Sequence, residues 1–196
     1  SVFSNLGYLI EPVFITKIYD RDGNLLETSK LVRKKVIDMN TAYIMTNVME
    51  SVVKSGTGWR VRALKRPVAG KTGTTNNLFD AWFLGYTPRY TTGVWVGLDK
   101  EAPMGKGETG SRAASPIWLD YMQMALEGRP ARAFNVPEGI VFAKIDAKTG
   151  LLPIPSSEKT IFECFKEGTV PSEHTPGPDA TAPDSDDALF KRGLEQ

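Results

Sequence analysis

Three short β-prone runs, Val68 to Thr75, Ala81 to Tyr86 and Thr92 to Leu98, follow one another with Asn76-Asn77 and Thr87-Pro88 between them. Gaps this short cannot hold the crossover that parallel strands need, so the runs must pair as an antiparallel meander. The third run, Thr92-Gly-Val-Trp-Val-Gly-Leu98, is apolar without clear alternation. That is the pattern of a strand covered on both faces, which places it at the centre of the sheet.

Helical patterns lie on either side of the meander. Between Asn40 and Ser55 the residues Ala42, Met45, Val48, Met49, Val52 and Val53 fall at helical spacing, with Asp38 or Asn40 to cap and Gly56 to stop. Farther on, Ser115 is placed to cap and Pro116 to take the first helical position of a segment whose Trp118, Tyr121, Met122 and Ala125 share a face; Gly128-Arg129-Pro130 ends it. This second helix is expected to cover the sheet, and Asp80, Trp82 and Trp95 of the meander are expected to serve its core. A peripheral hairpin is predicted from Glu11 to Glu27 around Asp22-Gly23, and another around Asp146 to Gly150. From Pro171 on, four prolines and Asp184, Asp186 and Asp187 predict a tail too polar to pack, and so mobile. The start, Ser1 to Gly7, reads as the last turn of a helix belonging to something longer.

Composition narrows the chemistry. With 24 Lys and Arg against 23 Asp and Glu in 196 residues, the net charge of +1 gives no general attraction to nucleic acid or anionic membrane. One cysteine, Cys164, cannot form an internal disulfide, and one histidine, His174, argues against a zinc site or an internal Ser-His-Asp triad. No metal or cofactor is expected. Catalysis would have to use Lys, Ser, Thr or carboxylates. There is no run of 18 apolar residues, so no membrane span is predicted.

Several short motifs compete for that chemistry. Gly70-Lys71-Thr72 matches the end of a phosphate-binding loop, but Lys65 stands where that loop needs glycine. Gly105-Lys-Gly-Glu-Thr-Gly110 fits a dinucleotide pattern yet is separated from the preceding strand by Asp99 to Met104, which reads as a glycine-rich connection with Glu108 solvated. Ser51-Val-Val-Lys54 and Ser156-Ser-Glu-Lys159 both place a serine one helical turn from a lysine, but neither has a pocket evident around it and both read as surface. Lys-Thr-Gly occurs twice. At Lys148-Thr149-Gly150 it follows Asp146 and is made of hairpin-turn residues. At Lys71-Thr72-Gly73 it opens a strand among small residues that leave the backbone approachable by a ligand.

Taken together, Gly56-Thr-Gly58, Ala69-Gly-Lys-Thr-Gly-Thr-Thr75, Asp80-Ala-Trp-Phe83, Gly85-Tyr-Thr-Pro88, Gly93-Val-Trp-Val-Gly97, Gly107-Glu-Thr-Gly110 and Pro116-Ile-Trp118 resemble the class A penicillin-binding proteins in order and spacing. Seven linked motifs are far more specific than one Lys-Thr-Gly. The resemblance covers about Ser1 to Gly150. It implies an α/β (α+β) fold with an antiparallel sheet flanked by helices, of the penicillin-binding transpeptidase and serine β-lactamase type. Residues 1–150 would be the C-terminal half of the transpeptidase domain, and 151–196 a largely irregular extension.

The resemblance further implies a bifunctional cell-wall enzyme on the outer face of the cytoplasmic membrane, anchored by a segment outside this chain, with a glycosyltransferase domain also outside it. Its transpeptidase would cross-link peptidoglycan stem peptides and be acylated by β-lactams. Lys71 and Thr74 would be catalytic, Lys71 beside the nucleophile and the Thr74 N–H as half of the oxyanion hole. Thr72, Gly73 and Thr74 would bind the substrate carboxylate. No serine here has asparagine two positions later, and Ser51 is too close to Lys71, so the nucleophile is expected in the missing N-terminal part of the same protein. A strand from that part would pair with the Thr92–Leu98 run; without it an apolar edge is open and self-association is expected. Two alternatives remain: a D,D-carboxypeptidase or β-lactamase-like hydrolase, and a noncatalytic cell-envelope interaction module.

Overall fold

A computed structural model of the chain describes residues 1–177. Two compact units are present, Ser1–Ile140 and one that begins at Val141. Among the described residues no helix is long and apolar enough to cross a membrane.

The first unit opens with β1 (Tyr8–Ile10), β2 (Lys17–Tyr19), β3 (Leu25–Thr28) and β4 (Arg33–Lys35), which form two antiparallel pairs, β1 with β4 and β2 with β3. The β2–β3 hairpin turns where the sequence places it: Asp20 Oδ1 accepts the N–H groups of Asp22 and Asn24 at 2.9 and 2.8 Å, and Gly23 takes a φ of +85°. Its strands are exposed throughout, as a peripheral hairpin requires.

Helix α1 (Met39–Lys54) starts at Asp38, whose Oδ2 accepts from the N–H groups of Asn40 and Thr41 at 3.1 and 3.4 Å. It stops at Ser55, just before Gly56. Its buried residues are Ala42, Tyr43, Thr46 and Val53, whereas Met45 and Val48 face solvent. The 3-10 turn Trp59–Leu64 then buries Val61 and Leu64.

The meander is β5 (Ala69–Thr74), β6 (Asp80–Tyr86) and β7 (Thr91–Gly97), in the order β5-β6-β7. The third run is therefore not central: β6 is the middle strand, and among the described residues β7 pairs with β6 alone. Apolar residues on both faces of β7 suggested full coverage, but Trp95 is 48% exposed. Cross-strand pairs Gly73–Trp82 and Trp82–Trp95 put these residues on one face, together with Lys71 and Leu84. Phe83 lies on the other face, fully buried.

Helix α2 (Ser115–Ala125) covers the Phe83 face, entered through a π-helical turn, Gly110–Ala114. Pro116 sits in its first turn as predicted, but Ser115 is not its cap: the Ser115 hydroxyl donates to the Ser111 carbonyl at 2.6 Å. Trp118 and Met122 are buried and Tyr121 is exposed. The Trp118 ring meets Phe83 edge-on, centroids 5.2 Å apart, and its Nε1–H donates to the Thr92 carbonyl at 3.0 Å, tying helix to sheet. Helix α1 packs along β5 and adds Val53 to the same buried cluster, and it is tied to β6 through Thr46 and Tyr86, whose hydroxyls are 2.8 Å apart. Burial there pushes the Tyr86 phenol above its ordinary value, so it stays protonated.

The second unit is built on β8 (Ile140–Asp146) paired with β9 (Thr160–Lys166). The stretch after Gly150 is thus more ordered than the sequence suggested: Ile161, Phe162, Cys164 and Phe165 supply a strand within what looked irregular. The expected mobile tail falls largely on 178–196, outside the described residues. Asp146 anchors the turn at Lys148-Thr149-Gly150, its Oδ1 accepting from the N–H groups of Lys148 and Thr149 at 2.8 and 3.1 Å, with Gly150 at a φ of +73°. The Ser157 hydroxyl first, and then the Lys148 N–H, hold the Asp146 carboxyl below its ordinary value. A carboxyl depressed by folding stabilises the fold above its unfolded value and loses that contribution as pH falls through the folded one. Protection of the Lys148 and Thr149 amides, taken as exchange relative to an unstructured peptide at the same pH, is expected to fall only as pH drops below the unperturbed carboxylate value of 3.8, and Asp146→Asn to abolish that pH dependence.

Candidate active site

Strand β5 carries Ala69-Gly-Lys-Thr-Gly-Thr74, and β6 is its only strand neighbour among the described residues. The strand is anchored at its start, where Ala69 and Gly70 are buried. A Cβ on Gly70 would lie 2.9 Å from the Phe83 ring and 3.0 Å from the Leu84 carbonyl oxygen, so only glycine fits. From Lys71 onward the strand opens to solvent.

Alternation then divides the motif. Lys71 and Gly73 point to the face that carries Trp82, Leu84 and Trp95, while Thr72 and Thr74 point to the face of Phe83. The two threonines share a side, as their spacing predicts, but the ammonium of Lys71 is on the other; the three side chains straddle the free edge of β5. Lys71 Nζ donates to the Thr72 carbonyl at 2.8 Å, and the side chain is exposed. Thr72 Oγ1 lies 2.7 Å from Thr57 Oγ1, and Thr74 Oγ1 accepts the Gly110 N–H at 3.1 Å. Thr57 and Gly110 thus join the site. The sequence signals both only through short glycine-containing motifs, Gly56-Thr-Gly58 for Thr57 and Gly105-Lys-Gly-Glu-Thr-Gly110 for Gly110 itself.

The backbone of β5 also has a direction. Thr75, in an extended conformation, donates its N–H to the Asp80 carbonyl on β6 at 3.1 Å. Successive amides of a strand point to opposite edges, so the Thr74 N–H points away from β6, toward the free edge. Beside it an open groove is lined by Thr74, Thr75, Asn76, Asn77, Asp80 and Glu101. The β5–β6 connection that forms its floor holds two successive non-glycine residues in the left-handed region, Asn77 at a φ of +66° and Leu78 at +60°. The Met104 N–H fastens this turn by donating to the Leu78 carbonyl at 3.0 Å.

Asp80, Trp82 and Trp95 do not serve the core as expected. Trp82 is 42% exposed, its ring 6.3 Å from that of Trp95, and Trp95 Nε1–H donates to Asp80 Oδ1 at 2.8 Å. They form a polar-tipped aromatic cluster on the Lys71 face. The other motifs are structural. Ser51 Oγ bonds back to the Asn47 carbonyl at 3.3 Å and Lys54 pairs with Glu50 at 3.4 Å, both within α1. Glu108 pairs with Arg112 at 3.3 Å on the glycine-rich connection.

Residues 1–123 match the family model described as "Penicillin binding protein transpeptidase domain", and residues 136–176 match "Penicillin-binding protein 1A, C-terminal domain". The similarity therefore runs past Gly150, farther than the motifs indicated. Penicillin-binding protein 1A of Pseudomonas aeruginosa is 36% identical over an alignment of 244 residues that takes in 96% of this chain and 30% of that protein. Its namesake from Neisseria gonorrhoeae is 45% identical over 147 residues, 72% of this chain and 18% of that protein. Among solved structures, penicillin-binding protein 1A from Haemophilus influenzae superposes with a TM-score of 0.80 at 30% identity, over 89% of this chain and 32% of that one. Penicillin-binding protein A of Mycobacterium tuberculosis, solved as a ceftriaxone acyl-enzyme complex, superposes with a TM-score of 0.52 at 18% identity over 64% of this chain, a likeness of fold. The chain spans under a third of the length of each of these relatives. An antiparallel sheet flanked by helices, a Lys-Thr-Gly strand at its edge among the described residues, and a domain model matched over residues 1–123 lead to one conclusion: this chain belongs to the penicillin-binding protein transpeptidase family.

Proposed function

We propose that this chain supplies the Lys-Thr-Gly wall of a D,D-transpeptidase site that cross-links peptidoglycan stem peptides through a serine acyl-enzyme. One observation carries the reading: Lys71, Thr72 and Thr74 straddle the free edge of β5, with the Thr74 N–H directed outward beside an open groove. In this reading Lys71 places its charge beside the nucleophile and the carboxylate of a D-Ala-D-Ala end or a penicillin. Thr72 and Thr74 hydroxyls, with the clearance Gly73 leaves, hydrogen-bond that carboxylate. The Thr74 N–H stabilises the developing oxyanion, a role in which one donor contributes about 3 to 4 kcal/mol.

The nucleophilic serine and its lysine base lie in polypeptide N-terminal to this chain. The exposed face of Trp82, Leu84 and Trp95, and the β7 edge, are where that polypeptide packs. The parent protein works on the outer face of the cytoplasmic membrane. Fluorescent penicillin tests the assignment: the full-length protein is expected to become covalently labelled and the 196-residue chain to stay unlabelled. Covalent label on the chain alone would place a nucleophile within it and overturn this reading.

A further inference from the structure

At the opposite end of β5 from Thr74 the molecule gathers positive charge. Arg66, Arg89 and Arg132 line one narrow depression, together with Thr87, Leu126 and three prolines. A fourth arginine, Arg129, precedes the lining residue Pro130 and holds its guanidinium 5.8 Å from the Tyr90 ring centroid. With a β-strand rise of about 3.3 Å per residue, the six residues of β5 set this depression roughly 17 Å from Thr74. It is separate from the groove described above.

The arginines come from three places and are held there. Arg66 precedes β5 and donates from Nη2 to the Leu126 carbonyl at 3.1 Å, at the C-terminal end of α2. Arg89 lies in the β6–β7 turn, which Thr87 closes: its N–H donates to the Tyr90 carbonyl at 2.9 Å, and its Oγ1 accepts the N–H groups of Arg89 and Tyr90 at 3.3 and 3.2 Å. Arg132 follows α2. Pro67 and Pro88 fix the backbone directly beside Arg66 and Arg89, and Pro130 does so two residues before Arg132.

No carboxylate lines the depression, and none of the four arginines forms an ion pair among the described residues, where the pairs are Lys54–Glu50 and Arg112–Glu108. Like charges gathered on a rigid frame oppose one another, and a chain of net charge +1 has no general surplus to explain them. We propose that this depression binds a phosphate group. Guanidinium forks match its oxygens in bidentate geometry. Its charge of nearly −2 and several acceptor oxygens suit three cations, whereas a single carboxylate would leave most of that charge uncompensated. The rigid rim lowers the ordering cost of binding.

Titrating inorganic phosphate into the full chain at constant ionic strength, followed by backbone amide NMR, tests this. The Thr87, Arg89 and Leu126 amides are expected to shift saturably. The double variant Arg89→Gln/Arg132→Gln, which leaves the Arg66 contact to α2 intact, is expected to weaken binding about 10-fold or more, as loss of charge-assisted hydrogen bonds implies. Lys30→Gln, remote on the N-terminal ribbon, is expected to change nothing, and an unchanged melting temperature shows that both variants fold. Sedimentation with phosphatidylglycerol or phosphatidylcholine vesicles separates the sources. Arginine-dependent binding to the anionic vesicles alone assigns a lipid headgroup, and saturable phosphate binding without vesicle binding assigns a soluble phosphate. Absence of saturable shifts at these amides, or equal weakening by Lys30→Gln, overturns the proposal.

Discussion

Lys71→Ala in the full-length protein is expected to slow acylation by fluorescent penicillin about 100- to 1,000-fold while leaving the melting temperature unchanged. The size follows from electrostatics. Two unit charges about 4 Å apart at an effective dielectric near 20 interact by about 4 kcal/mol, and each 1.4 kcal/mol is about tenfold in rate. Desolvation of the ammonium reduces the net effect, hence a range below the full Coulomb figure. The stability half of the prediction rests on position. Lys71 is exposed, and the partner of its Nζ is the carbonyl of the next residue, so the folded sheet loses nothing comparable when the side chain goes. Stopped-flow acylation with a melting curve on the same sample reads both. Unchanged acylation would favour the noncatalytic interaction module, and a large fall in melting temperature would make Lys71 a structural residue.

What the sequence disclosed follows the range of the forces involved. Features fixed within a few residues were legible: Asp38 capping α1, Pro116 in the first turn of α2, the Asp22-Gly23 turn, and the breaks at Asn76-Asn77 and Thr87-Pro88 that force a meander. Features that depend on what lies across the molecule were not. The apolar run Thr92 to Leu98 looked central because both its faces are apolar, yet among the described residues β7 is an edge strand, with Trp95 half exposed. Residue pattern records that a surface wants cover, not which polypeptide provides it. The same holds for Trp82, which pairs with Trp95 on the Lys71 face and leaves the core to Phe83, Trp118, Met122 and Val61.

The site divides the same way. Lys71, Thr72, Gly73 and Thr74 were found from one contiguous motif, and their alternation about β5 follows from strand geometry. Thr57 and Gly110 reach the motif from 15 and 36 residues away. Nothing local announces such a contact. The flanking glycines hint at close approach without saying to what.

Gly110 is where that hidden contact is most exacting. A Cβ there would overlap the carbonyl oxygens of Trp82 and Gly73, a cross-strand pair of β5 and β6. Both are backbone atoms inside a paired ladder, so no rotamer change relieves the clash, and either the π-helical turn lifts or β5 is pushed. Lifting breaks the hydrogen bond from the Gly110 N–H to Thr74 Oγ1 and draws Ala114 out of the core. Pushing moves the strand that carries Thr74. Gly110→Ala is therefore expected to cost about 1 to 3 kcal/mol of stability, the usual range for overpacking a filled site. It should also slow acylation by about 100-fold, since a displacement of about 1 Å at a reacting geometry has that effect. Gly128→Ala is the matched control: its added Cβ meets nothing within 4 Å, and its φ of +68° carries the backbone strain alone. Stability lost equally in both variants, with acylation intact, would reduce Gly110 to a turn residue. Acylation lost only in Gly110→Ala would show that the glycine connection sets the position of the Lys-Thr-Gly strand, and so make it part of the site.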